Sequence, residues 1–139
     1  GGGIVKALSL IGEDPFILIN ADISHDISIK PLNKNIISAH IIGVENPDHN
    51  INGDFSLDGD IVVIKEGKKD FTWTGISVVN PLIFNKYKDH DGFFNIWDPV
   101  MLACISDRSV TGEITKGKWI DTGTVDRLEL ANKMHKDEN

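Results

Sequence analysis

The chain has 139 residues, 40% of them hydrophobic, and a net charge of −7. That length suits a single domain over residues 1–139 with a sizeable core. The negative charge, with no Lys/Arg cluster to oppose it, argues against nucleic acid as a partner, and no apolar run approaches the length needed to span a membrane. The single cysteine, Cys104, cannot form an internal disulfide and lies in the apolar run Val100-Met101-Leu102-Ala103-Cys104-Ile105, typical of a buried thiol. A reducing, cytoplasmic setting is therefore expected. The start, Gly1-Gly2-Gly3-Ile4, lacks the basic region of a signal peptide. Both methionines, Met101 and Met134, lie late, so a trimmed start or a piece of a longer protein is expected.

In chain order, Ile4, Val5, Ala7, Leu8, Leu10 and Ile11 recur at helical spacing, which predicts a short amphipathic helix over 3–11 ended by Gly12. Pro15-Phe16-Ile17-Leu18-Ile19 is an unbroken apolar run and reads as a strand buried on both faces, in the middle of a parallel sheet. Residues 22–30 are polar and alternating. Residues 31–35 suggest a helical turn. Residues 36–44 form the second apolar strand, followed by a loop over 45–50 rich in Asn, Pro and Asp. Residues 55–57 and 61–64 flank Asp58-Gly59, a strong hairpin signal. After a charged turn around Gly67, residues 71–79 form a β-rich strand with Gly75 inside it, where a glycine often marks the close approach of a ligand or backbone. Pro81 opens a short helix to Lys86, and 97–105 reads as another. Residues 111–116 and 119–120 are short strands. Thr124 is a good N-cap for a helix running to about Lys133, and the tail from Lys136 is expected to fray. The order is mixed α/β, with strand–helix alternation interrupted by a hairpin, and no internal repeat.

Two carboxylates stand out. Asp22 follows the strand at 15–20, where ligand crevices of open α/β sheets lie. Taken alone, it reads first as a residue that starts a turn or caps a helix. Asp121, in Lys118-Trp119-Ile120-Asp121-Thr122-Gly123-Thr124, has the same setting, and Thr124 competes for the capping role that Asp121 would otherwise fill. Two strand-end carboxylates converging on one crevice suit a hard divalent cation whose remaining ligands are waters and substrate phosphates.

Five stretches in order carry a resemblance. They are Gly1-Gly2-Gly3-Ile4 with Ala7-Leu8, Pro15-Phe16 with Asn20-Ala21-Asp22, Thr74-Gly75-Ile76-Ser77-Val78, Gly112-Glu113, and Trp119-Ile120-Asp121-Thr122-Gly123-Thr124 with Arg127-Leu128. Together they resemble the C-terminal portion of the sugar-1-phosphate nucleotidyltransferases, most of all the N-acetylmuramate-1-phosphate uridylyltransferases. The resemblance implies a Rossmann-like three-layer α/β fold with a mixed, mostly parallel sheet, here N-terminally incomplete. It implies an enzyme that joins an NTP, UTP above all, to a sugar 1-phosphate, giving an NDP-sugar and pyrophosphate. The sugar phosphate attacks the α-phosphorus in line, without a covalent enzyme intermediate. It assigns Asp22 and Asp121 to catalysis as Mg²⁺ ligands, Gly1, Gly2 and Gly3 to the nucleobase, and Asp54, Gly75 and Glu113 to the sugar.

Two departures accompany the resemblance. Ala21 stands where the family has glycine, and nothing in residues 1–139 matches the family's N-terminal Gly-rich, Arg-containing triphosphate loop or the lysine soon after it. A fragment of weak or no turnover is one reading. A non-catalytic sugar-nucleotide-binding or regulatory subunit is another, and a mannose-1-phosphate guanylyltransferase-like enzyme a third. The oligomeric state has no signal. His40, inside a strand, reads as a packed histidine. His25, His49, His90 and His135 share no zinc-like spacing, and Ser9 and Ser77 lack a Gly-x-Ser-x-Gly setting. Trp73, Trp97 and Trp119 read as core, with one of them able to border the sugar.

Overall fold

The structure is a computed structural model and describes residues 1–29, 35–90 and 92–136, without the side chains of 135 and 136. Most of the turn expected at 31–35 and the end of the tail lie outside these residues. Helix α1 (Gly2–Ile11) begins at the N-cap Gly1 and stops at Gly12, whose positive φ of 88° suits glycine. The strands are β1 (Phe16–Ile19), β2 (Ile23–His25), β3 (Ala39–Glu45), β4 (Ser56–Asp58), β5 (Ile61–Val63), β6 (Phe71–Val79), β7 (Val110–Ile114) and β8 (Trp119–Asp121). Helices α2 (Val100–Ser106) and α3 (Val125–Lys136) and 3₁₀ turns at Asp48–Asn50 and Pro81–Tyr87 complete the described elements. Pro81 begins its turn as expected, and Asn80 caps it by accepting the Leu82 N–H at 3.0 Å. The helix expected from residue 97 starts at Val100, after Pro99 at the N-cap. Among the described residues, no helix is long and apolar enough to cross a membrane.

Six strands form one sheet in the order β1-β6-β3-β7-β5-β4. The sheet is mixed, and β1, β3, β7 and β4 share a direction that β5 and β6 oppose. Direct pairing is nonetheless mostly antiparallel; among the described residues β3 with β7 is the parallel pair. The expectation of a mostly parallel sheet is corrected accordingly. The Asp58–Ile61 hairpin turns at Gly59, with φ 63°, as Asp58-Gly59 predicts.

The expectation for β1 is also corrected. It is an edge strand paired with β6, and its side chains alternate in burial. Phe16 and Leu18 pack on the main core with Phe84, while Ile17 and Ile19 on the opposite face are 48% and 44% exposed. An all-apolar run satisfies either arrangement, because exposed isoleucine is tolerated singly.

The main core fills the space between one sheet face and α2 with its flanking turns, around Ala39, Ile41, Phe55, Val79, Phe84, Met101 and Val110. A smaller core of Ile27, Ile42 and Ile76 covers the other face and receives Ile23, Ile29 and Trp119. His40 is buried on that face with its Nδ1 2.7 Å from Thr111 Oγ1, in keeping with a packed histidine. Cys104, expected buried, is half-buried at the rim of the main core. Burial still raises its thiol pKa.

Candidate functional site: a carboxylate-lined cleft

Strands β2 and β8 stand outside the main sheet as an antiparallel ribbon, with Ile23 opposite Asp121 and His25 opposite Trp119. Strand β2 was not foreseen: it is only three residues long, and its alternation of Ile23, Ser24 and His25 is weakly amphipathic. The ribbon is what joins the two distant carboxylates. The Thr122 N–H donates to the Asp22 carbonyl at 2.7 Å, just beyond the Ile23–Asp121 pair. Gly123 lies beneath both side chains: a Cβ there would sit 2.9 Å from Asp121 Oδ1 and 3.7 Å from Asp22 Oδ2.

The ribbon is tied to the sheet at two points. The Trp119 indole N–H donates to the Thr74 carbonyl at 2.8 Å, and the Asn20 N–H donates to the Gly75 carbonyl at 2.9 Å. Gly75 has φ 81°, and a Cβ there would fall 2.6 Å from Asn20 Nδ2. Glycine is therefore required both by the backbone and by the side chain laid against it.

The result is an open cleft of about 350 Å³, lined chiefly by polar groups from β6, the ends of β1 and β8, and the loop after β3. Asp22, Asp121, Asp54 and Gly75, all expected at the site, line it together. Asp54 is held firmly: its Oδ1 accepts from Asn50 Nδ2 at 3.0 Å and its Oδ2 from the Trp73 N–H at 2.9 Å. Asn50 also donates to Thr72 Oγ1 at 3.1 Å, which donates to Asn46 Oδ1 at 2.9 Å. Gly53, with φ 65°, lets the chain turn tightly past Asn46.

Asp121 uses its two oxygens differently. Oδ1 accepts from the Gly123 N–H at 2.7 Å and lies 3.4 Å from Arg127 Nη2. Oδ2 lies 3.9 Å from His49 Nε2, whose ring stacks on Trp119 at a centroid distance of 6.2 Å. Thr124 caps α3 weakly, its hydroxyl accepting the Arg127 N–H at 3.4 Å, so the capping role goes to Thr124 and not to Asp121.

Other expected residues lie elsewhere. Glu113 is half-exposed on β7, 3.8 Å from His40 Nε2, on the sheet face that carries the ribbon but outside the cleft lining. Gly1, Gly2 and Gly3 open α1; Gly1 abuts the Phe94 ring, Gly2 abuts the Gly92 carbonyl, and none of the three lines the cleft. His49, Asn50 and two of the three tryptophans, Trp73 and Trp119, do line it. The signal for His49 and Asn50 was their position just past the carboxyl end of β3, the same rule that singled out Asp22.

Among the described residues, no group of three or more His, Cys, Asp or Glu side chains is gathered to hold a metal alone. Two carboxylates still fit Mg²⁺, which is bound by one or two carboxylates and keeps waters and substrate phosphates for the rest of its octahedron.

The chain is 36% identical over 141 residues to N-acetylmuramate alpha-1-phosphate uridylyltransferase of Neisseria meningitidis serogroup B, a match covering 96% of this chain and 60% of that protein. This chain is a relative of the sugar-1-phosphate nucleotidyltransferases. Solved nucleotidyltransferase structures share its fold. A Bacillus anthracis protein assigned as a glucose-1-phosphate thymidylyltransferase, solved with sucrose, superposes with a TM-score of 0.81 at 20% identity, over 99% of this chain and 61% of that one. A UDP-glucose pyrophosphorylase complexed with UDP-glucose gives a TM-score of 0.69 at 20% identity, over 96% and 61%. The chain thus spans about three-fifths of the length of these nucleotidyltransferases. No protein-family model matches it.

Proposed function

We propose that this chain carries the metal-binding and sugar-facing part of a Mg²⁺-dependent sugar-1-phosphate nucleotidyltransferase that uses UTP. The observation that supports this most is the pairing of Asp22 with Asp121 above Gly123. In the reaction, an oxygen of the sugar 1-phosphate forms a bond to the α-phosphorus of the NTP as the bond to pyrophosphate breaks. Mg²⁺ held by Asp22 and Asp121 would neutralise charge on the phosphoryl oxygens. The chain's own residues position the reactants, which is where nucleotidyl transfer gains most. Asp54, fixed by Asn50 and the Trp73 N–H, offers its remaining lone pairs to sugar hydroxyls. Gly75 lets the Asn20 side chain lie against β6 at the edge of the cleft, and the Trp119 face with His49 walls it. Uridylyl transfer to N-acetylmuramate 1-phosphate follows the Neisseria protein, and a cytoplasmic setting fits the lone cysteine.

The test is calorimetric titration of this chain with UDP-N-acetylmuramate, UDP-glucose and GDP-mannose, with and without Mg²⁺. The expected outcome is binding of UDP-N-acetylmuramate in preference to the other two, strengthened by Mg²⁺ and lost in Asp22→Ala. Binding that ignores both Mg²⁺ and Asp22→Ala would remove the metal assignment and favour a sugar-nucleotide-binding subunit.

A further inference from the structure

The two oxygens of Asp121 have different neighbours. Oδ1 is engaged from behind by the Gly123 N–H at 2.7 Å and by Arg127 Nη2 at 3.4 Å. Oδ2 is turned to the side where His49 stands at 3.9 Å. Arg127 sits in the first turn of α3, three-quarters buried, and its Nε is buried without a hydrogen-bond partner. A guanidinium so placed is largely screened from solvent beside Asp121. The missing side chain at Gly123 gives it the room: a Cβ there would lie 3.3 Å from Nη2.

We propose that Arg127 is a positioning residue that sets cation choice: by occupying Asp121 Oδ1 it leaves Oδ2 as the single oxygen offered to a metal, which favours Mg²⁺ over Ca²⁺. This rests on the reading of Asp22 and Asp121 as metal ligands. Ca²⁺ accepts six to eight oxygens and takes carboxylates in one- or two-oxygen grips, whereas Mg²⁺ requires a regular octahedron. A two-oxygen grip on Asp121 would require Oδ1 to give up the Gly123 N–H and to share its charge between the cation and Arg127. Partners behind a ligating carboxylate orient it in this way in many metal sites. Arginine suits the task because its planar guanidinium, here presenting Nη2 to Oδ1, is a more directional partner than a lysine ammonium.

Charge alone makes a different prediction. Removing a cation beside the site raises affinity for Mg²⁺ and Ca²⁺ alike, so the Mg²⁺:Ca²⁺ ratio isolates orientation. The experiment measures Mn²⁺ binding to the full chain by electron paramagnetic resonance and displaces it with Mg²⁺ or with Ca²⁺. It compares the wild-type chain with Arg127→Ala, Arg127→Lys and Asp121→Ala. Arg127→Ala is expected to lower the Mg²⁺:Ca²⁺ ratio about tenfold, the lower end of the effect of losing an outer partner. Arg127→Lys keeps the charge without the planar guanidinium; it is expected to lower the ratio too, and it carries the test if the alanine variant does not fold. An unchanged ratio in a folded Arg127 variant, with Mn²⁺ binding lost in Asp121→Ala, overturns the role of Arg127 alone. Mn²⁺ binding that is absent, or indifferent to Asp121→Ala, overturns the metal site and this inference with it.

Discussion

The Thr122 N–H reaches the Asp22 carbonyl at 2.7 Å, and through that bond two strand ends separated by most of the chain become one site. The bond involves backbone only, so it survives replacement of either carboxylate. Asp22→Ala and Asp121→Ala are each expected to lower Mg²⁺-dependent ligand binding by at least about tenfold; Asp22→Ala leaves the thermal midpoint nearly unchanged, whereas Asp121→Ala lowers it, because the Gly123 N–H and Arg127 lose their shared acceptor. Calorimetry with a parallel melting curve checks both halves. A variant that unfolds would show that the carboxylates hold the ribbon together and do not merely decorate it.

Gly75→Ala tests the other junction. The positive φ costs an L-residue roughly 1–2 kcal/mol, and the new Cβ meets Asn20 Nδ2 at 2.6 Å. Displacement of Asn20 would loosen its 2.9 Å bond to the Gly75 carbonyl and shift the end of β1. A fall in the denaturant midpoint by that order, with weaker ligand binding, is expected. An unchanged midpoint would mean that the strand relaxes around the methyl group.

Asn50→Ala removes the donor shared by Asp54 Oδ1 and Thr72 Oγ1. The groups are only part-buried, so a stability loss near the low end of about 1–3 kcal/mol is expected. The larger effect falls on ligand binding, since among the described residues Asp54 then keeps the Trp73 N–H alone as a fixed donor to its side chain. Asp54→Asn must set its amide NH2 against one of the two donors, Asn50 Nδ2 or the Trp73 N–H, so it is expected to weaken ligand binding through position as well as charge in the same titration.

Cys104 gives a pH prediction. Burial raises its thiol pKa, assisted by the charge of Asp107 and opposed by the Ser38 hydroxyl. A raised thiol pKa leaves less thiolate at neutral pH, and thiolate is the reactive form. Alkylation by iodoacetamide is expected to run slower than for a free thiol at pH 7. Its rate should still climb at a pH where a free thiol has levelled off. A plateau at the free-thiol position would contradict the burial effect.

Both halves of the carboxylate pair were legible in the sequence because each ends a recognisable apolar strand. The glycine within β6 was legible for a similar reason, since a residue without a side chain is conspicuous in a β-rich run. The edge position of β1 was not: Phe16 to Ile19 are all apolar, and such a run does not say which side chains meet solvent. Strand β2 escaped notice because three residues hold too little pattern, and its identity depends on β8 far along the chain. His49 and Asn50 look like ordinary loop residues until β6 and the ribbon come to stand beside them. The division of labour between the two oxygens of Asp121 has no counterpart in sequence at all.

Chain ends ordinarily tolerate trimming. Here β8, late in the chain, is the sole described partner of β2, which follows directly on Asp22. Cutting the chain after Gly117 would remove Asp121 and the Trp119 anchor on Thr74, and would leave Ile23 without its neighbour. The cleft thus behaves as a clasp whose two halves are made at different times during synthesis: the first carboxylate waits, with the neighbouring β2 unpaired, until Trp119–Asp121 has emerged about a hundred residues later.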